Sequence, residues 1–183
     1  MSSMPTPERT SLGAIVEAAR ETLESDGLSG LTMQAVAKRV GVRAPSLYKR
    51  LEGREELIRL VAEATFTDLA ARLDVETDLI QLATSFRRFG HDQPAAFLLV
   101  MTPGPGVPTA RPEFVRAASD AVRRSAGVLA GDEHALDAAR TLTSWAVGFI
   151  SMELNGGFNL GGDIEGAWEF GLERIVFSIG ASR

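Results

Sequence analysis

The chain has 183 residues, 45% apolar and 23% charged, with a net charge of −5, no cysteine and two histidines. This is globular composition with enough apolar material for a sizeable core, which excludes disorder over most of the length. Disulfides, a thiol nucleophile, a thiolate zinc site and a histidine cluster are excluded as well, and no cofactor is expected.

No apolar run approaches the roughly 20 residues of a membrane span, and residues 1–10 hold neither a basic n-region nor an apolar h-region. A cytoplasmic protein without a membrane partner is therefore expected. Leu12, Ile15, Val16, Ala19 and Leu23 recur at the spacing of one helix face. Thr6-Pro7-Glu8 before them supplies a cap, an N1 proline and a first-turn acid, and Asp26-Gly27 ends the helix. Thr32 caps a second helix with Met33, Val36, Ala37 and Val40 on one face, and Gly41 gives the dihedral freedom for a tight turn. A short third helix is expected over residues 44–50, with Pro45 in the first turn, where its missing N–H breaks no bond. Glu52-Gly53 closes it. A fourth helix opens on Glu55 and Glu56, which suit the positive helix end, and runs through Leu57, Leu60, Val61 and Ala64 to Leu73.

Beyond the break at 74–78, a fifth helix shows Leu79, Leu82, Ala83, Phe86 and Phe89 and stops before Pro94, and residues 95–101 make a short sixth. Residues 102–109, with three prolines and two glycines, form a loop. A seventh helix is expected over 112–130, an eighth, capped by Asp132, over 133–155, and a ninth over 164–179 after the loop 156–163. No segment sustains period-two alternation and no internal repeat occurs, so the expected class is all-α with about nine helices. Residues 1–53 form the smaller module and 54–183 the larger body.

Charge is unevenly placed. Residues 1–60 carry nine Lys/Arg against eight Asp/Glu, whereas 61–183 carry ten against sixteen. Residues 32–51 hold Lys38, Arg39, Arg43, Lys49 and Arg50 and no acid. A helix entering the major groove brings its exposed face close to phosphates, where a carboxylate would be repelled. Helix, glycine turn and helix over 32–50 match a helix-turn-helix, although any helical hairpin with a glycine turn has similar spacing.

From residue 9 to about 60 the sequence resembles the TetR family of regulators. The resemblance rests on Ile15, Ala18-Ala19 and Leu23 before Gly27, then Leu31-Thr32, Val36-Ala37 and Gly41-Val42. It continues through Ala44-Pro45-Ser46-Leu47-Tyr48, Leu51 and Gly53-Arg54-Glu55-Glu56-Leu57. The family pattern usually has phenylalanine at the position of Leu51 and lysine at that of Arg54; both replacements keep the chemistry. The resemblance implies that Arg43, Ala44, Pro45, Ser46 and Lys49 lie near base edges, with Thr32, Tyr48, Arg50 and Arg54 nearer phosphates. Residue chemistry agrees: Arg43 can fork onto guanine, Lys49 can reach guanine or a phosphate, and Ala44 with Pro45 offers apolar surface to a thymine methyl.

The eighth helix is apolar nearly all round, and in the ninth Glu165, Glu169 and Glu173 confine polarity to one stripe. Such helices need burial on both sides, which one chain of this size does not supply. The resemblance implies a homodimer made through a four-helix bundle of the last two helices of each chain, so Leu142, Ile150, Leu154, Trp168, Leu172, Ile175 and Val176 are expected at the dimer interface. Phe86, Phe89, Phe97, Met101, Trp145, Phe149 and Met152 are expected to wall a mostly apolar pocket for an uncharged or weakly polar effector. An anionic metabolite is disfavoured there, with Arg87 or Arg88 as the exception that would anchor a carboxylate. The loop 102–109 sits where it can gate entry.

The resulting expectation is a repressor that binds a palindromic double-stranded DNA operator as a homodimer and is released by a small effector. A ligand-independent DNA-binding regulator or activator is one alternative. A small helical enzyme is another, and it lacks a convergent acid, base or metal set. The glycines of 156–162 follow no strand and lack the Lys and Ser/Thr of a nucleotide loop, and His91-Asp92 reads as a helix end.

Overall fold

A computed structural model describes residues 11–181, and among them the chain forms nine α-helices and one 3-10 turn, with no strand. The fold is all-α, as expected. α1 (Leu12–Gly30) is capped by Ser11, whose hydroxyl accepts from the Ala14 N–H at 3.2 Å. The expected start at Thr6-Pro7-Glu8 lies outside the described residues. Gly27, at φ 70°, breaks α1 where the sequence predicts its end.

α2 (Met33–Val40) begins at Thr32, whose hydroxyl accepts from the Ala35 N–H at 3.1 Å. It ends at Gly41, left-handed at φ 81°, and the Gly41 and Val42 N–H groups both return to the Ala37 carbonyl, at 3.0 and 2.9 Å. Those bonds satisfy an acceptor that the helix end leaves open. α3 (Ala44–Leu47) is shorter than expected because the chain tightens after it: the Arg50 N–H donates to the Leu47 carbonyl at 2.8 Å, a 3-10 spacing.

α4 (Arg54–Asp74) has 21 residues and spans roughly 31 Å. It packs on α1 and most extensively along α7, burying Leu57, Ile58 and Val61 in its first half and Phe66, Leu69 and Leu73 in its second. α5 (Leu79–Asp92) is capped by Asp78, whose Oδ1 accepts from the Ile80 and Gln81 N–H groups at 2.9 Å each. α6 (Pro94–Met101), α7 (Pro112–Ala130), α8 (Ala135–Leu154) and α9 (Ile164–Gly180) complete the body. Asp132 does not cap α8; it opens the 3-10 turn Asp132–His134, so α8 starts later than expected.

The apolar core is continuous from Ile15 in α1 to Ile179 in α9. Polar contacts stitch the N-terminal helices to the body. Both Glu24 carboxylate oxygens accept from the start of α6, from Ala95 N–H at 3.1 Å and Ala96 N–H at 2.8 Å, which neutralises its unpaired donors. Arg20 donates to Asp68 of α4 at 3.2 Å and to Gln93 at 3.0 Å.

Candidate nucleic-acid interface and ligand cavity

The helix-turn-helix is rigid underneath and open on top. Leu31, Val36, Leu47 and Leu51 are fully or nearly fully buried beneath it. Arg43 is the extended residue before α3, at φ −85° and ψ 144°, so its side chain leaves the unit at the point where α3 begins. Arg43, Pro45, Tyr48, Lys49 and Arg50 are exposed, and Ala44, Ser46 and Thr32 are half-buried. Among the described residues neither Arg43 nor Lys49 has an ion-pair partner. Two cations left unneutralised within one short segment favour a phosphate- or base-bearing partner.

Arg54 stands apart from this set. Its Nε and Nη2 donate to the Leu31 and Leu28 carbonyls at 2.7 and 2.6 Å, so the guanidinium ties α4 to the segment joining α1 and α2. The expectation of a phosphate contact at Arg54 competes with that task. Arg39 is likewise engaged, with Glu21 at 3.1 Å and the Ser25 hydroxyl at 3.1 Å. Thr32, expected near phosphates, uses its hydroxyl as the α2 cap.

A cavity of about 390 Å³ lies between α4, α5, α6, α7 and α8. Phe86 and Met101 are among its lining residues, and the rest of its wall differs from the set proposed from the sequence. Phe89 and Phe97 are fully buried core, their rings 6.3 Å apart. Trp145 and Phe149 point to the opposite side of α8, where Trp145 stacks on Trp168 at 4.7 Å and Phe149 meets Trp168 edge-on at 5.2 Å. Met152 is exposed at the surface of α8. Phe66, Leu69 and Leu73 of α4 and Val115, Ala118 and Val122 of α7 supply the walls that the sequence reading missed. Their apolar spacing was visible, but nothing in spacing says which buried face meets empty space. Among the described residues that line it, the polar side chains are the hydroxyls of Ser119, Thr143 and Ser144.

The residues expected at a dimer interface divide. Leu142 lines the cavity, Ile150 packs inside the chain beside Gly90, and Trp168 and Leu172 are buried within the single chain. Leu154, Ile175 and Val176 are half-buried. On α9 the conspicuous exposed apolar groups are instead Phe170 and Phe177, at 62% and 75% exposure.

Two ionic groups sit within the body. Arg87 donates to Glu153 at 2.7 Å and to both Glu165 oxygens at 2.8 and 2.9 Å, and its guanidinium lies 5.0 Å from the Trp168 ring centre. Hydrogen bonds to Glu153, opposed by burial and aided by Glu165, hold its proton more firmly than usual. That occupation answers the expectation that Arg87 would anchor a carboxylate ligand: two carboxylates of its own chain already do so. His91 Nε2 lies 3.2 Å from Glu153, so it joins this cluster rather than a helix-end carbonyl. The second group centres on Glu63 of α4, which accepts from Arg111 Nε at 2.8 Å and Nη2 at 3.1 Å and from Arg59 Nη1 at 3.1 Å. Burial pushes the Glu63 carboxyl upward, but the hydrogen bonds from Arg111 and Arg59 outweigh it and hold the carboxyl below its ordinary value.

A basic helix-turn-helix carried on a helical body with an apolar cavity defines a helix-turn-helix regulator class. Residues 15–61 match the family described as "Bacterial regulatory proteins, tetR family", and residues 79–175 match the one described as "Tetracyclin repressor-like, C-terminal domain". The chain belongs to the TetR family of bacterial regulatory proteins. It is 34% identical over 148 residues to an HTH-type transcriptional regulator of Saccharopolyspora erythraea, covering 76% of this chain and 59% of that relative's length. The crystal structure of the protein SCO4313 is similar with a TM-score of 0.76 at 27% identity, covering 94% of this chain and 98% of that one. The structure of BioQ with its double-stranded DNA operator shares the fold, with a TM-score of 0.67 at 21% identity over 92% of this chain and 97% of that one. No helix among the described residues is long and apolar enough to cross a membrane.

Proposed function

We propose that this chain is a one-component transcriptional repressor: residues 1–53 read a palindromic DNA operator, and residues 54–183 bind a small effector and form the homodimer. The observation that carries the reading is the unpaired Arg43 and Lys49 flanking the short helix α3, which a buried leucine floor holds in place. A rigid mount keeps such cations oriented toward a groove, and phosphate attraction alone would not need that rigidity. The remaining recognition set is Ala44, Pro45, Ser46, Tyr48 and Arg50.

The largely apolar cavity supports an effector role. It lies against α4, the helix that runs from the helix-turn-helix into the body, so a ligand that displaces α4 would alter the spacing of paired recognition helices. Its wall offers hydroxyls but no acid–base pair, which suits binding rather than turnover.

Selection of bound duplexes from a random pool, followed by footprinting, tests the reading. The expected product is a palindrome with half-sites about one helical turn apart, roughly 34–36 Å or a multiple. Arg43→Ala is expected to cost about 1–3 kcal/mol and to relax one base position, whereas Lys49→Ala weakens all sequences alike if it holds a phosphate. Recovery of no enriched sequence, or unchanged affinity in both variants, would overturn the assignment.

A further inference from the structure

The cavity does not end at Val115. A second cavity of about 410 Å³ shares Phe66, Val100 and Val115 with the first and continues to Ala110, Pro112 and Arg116. Along α4 the lining residues run in order from Ala62 in the second cavity to Leu73 in the first, and along α7 from Pro112 to Val122. The two helices run in the same direction, since Glu63 meets Arg111 at one end and Asp74 meets Arg124 at 2.6 Å at the other. Ten residues of α7 cover roughly 15 Å, so the joined space is an apolar trough elongated along the two helices.

Charge is confined to one end of it. Arg116 lines the second cavity, is exposed, and has no ion-pair partner among the described residues. The acids on either side of it along α7 are directed elsewhere: Glu113 lies 3.6 Å from Arg111, and Asp120 lies 3.6 Å from Arg123. Arg111 itself is committed to Glu63. The far end of the trough offers only hydroxyls.

We propose that the two cavities form one site for a straight-chain amphiphile, its alkyl chain lying between α4 and α7 and its anionic head on Arg116. This rests on the effector role proposed above and names the ligand class for it. It departs from the sequence expectation of an uncharged effector, because the cation that matters is at the mouth rather than inside. A compact neutral molecule fills one cavity only; an unbranched chain fills both, each buried methylene strengthening binding by about fourfold. The arginine fork then selects a carboxylate head over an uncharged one, by about fivefold at this exposed position.

Titration of the full chain with decanoate, decanol, decyltrimethylammonium and butanoate, each below its micelle-forming concentration, tests this by calorimetry. Decanoate is expected to bind more tightly than decanol, decyltrimethylammonium and butanoate to bind weakest, and Arg116→Ala to cost decanoate about fivefold without weakening decanol. Val115→Trp, which places an indole at the junction of the two cavities, is expected to weaken both ten-carbon ligands while the circular dichroism spectrum stays helical. Equal binding of decanoate and decanol, with Arg116→Ala indifferent, would overturn the head-group assignment and leave the apolar effector cavity standing. Binding of compact neutral ligands with no gain from chain length would overturn the trough. Failure of all of these and of a broad neutral panel to bind the folded protein would remove the effector role as well.

Discussion

Glu63 is a carboxylate at 3% exposure, on the face of α4 that turns Val61, Ala62 and Phe66 into the core. A charge so placed is tolerated because two guanidinium groups meet its oxygens, and removal of either side of such a pair leaves buried donors or acceptors unmatched. Its folded-state carboxyl is held below the ordinary value of 4.5. The stabilisation is therefore complete above that value, where the unfolded chain is also ionised, and is lost as pH falls through the lower folded-state value. Glu63→Gln is expected to lower stability at neutral pH by about 1–3 kcal/mol, with the gap to wild type narrowing below pH ~4. Urea unfolding across a pH series checks this; a gap that stays constant into the acid range would show that the carboxylate charge is not what matters. The contact also fixes the first residue before α7 to α4, so the same variant tests how firmly the end of the loop 102–109 is held.

At the scale of elements, α5 and α8 approach closely because Gly90 leaves room. A methyl group added there would sit 2.6 Å from Cγ2 of Ile150 and 3.3 Å from the Phe97 ring. Gly90→Ala is expected to destabilise by about 1–3 kcal/mol through overpacking, read as a lowered thermal midpoint. An unchanged midpoint would mean the helices separate freely. The same contact shows what sequence could and could not tell. Thr32, Gly41, Pro45, Pro94 and Pro112 act locally, through caps, a positive φ and missing N–H groups, so the helix order and most boundaries were legible. Ile150 and Leu142 were recognisable as buried, yet periodicity assigns a residue to a face without saying what covers that face. α8 is apolar nearly all round, and one side turned out to meet the cavity while the other carries Trp145 and Phe149 against α9. The exposed pair on α9 is illegible in the sequence for the opposite reason. Phe170 and Phe177 lie among the glutamates, where a sequence reading expects polarity.

For the molecule as a whole, that pair bears on assembly. Phe170 and Phe177 lie seven residues apart on α9, so they fall close to one face of that helix, and both are exposed. Burying two such rings against the second protomer of the proposed homodimer would be a large apolar gain. Phe177→Glu is expected to shift the proposed homodimer toward monomer in sedimentation experiments while leaving the helical content intact, because a carboxylate would have to be desolvated at the seam. A variant that sediments as wild type would place the interface elsewhere. Trp168→Glu would not make this distinction, since Trp168 is buried within its own chain and the change would unfold it.

The hold of Glu24 on the first N–H groups of α6 has a mechanical side. α6 has eight residues, a strut of roughly 12 Å, with its front end gripped by α1 and its last residues, Val100 and Met101, in the cavity wall. A rod so short does not bend appreciably, so a push at the wall by the proposed effector would be passed on to α1 through the carboxylate. Loosening that contact should leave ligand affinity nearly intact and weaken the response. Under the proposed effector role, Glu24→Gln is accordingly expected to bind effector and DNA each on its own, while the effector releases less DNA than from wild type; a full release by the variant would show that the force travels along α4 alone.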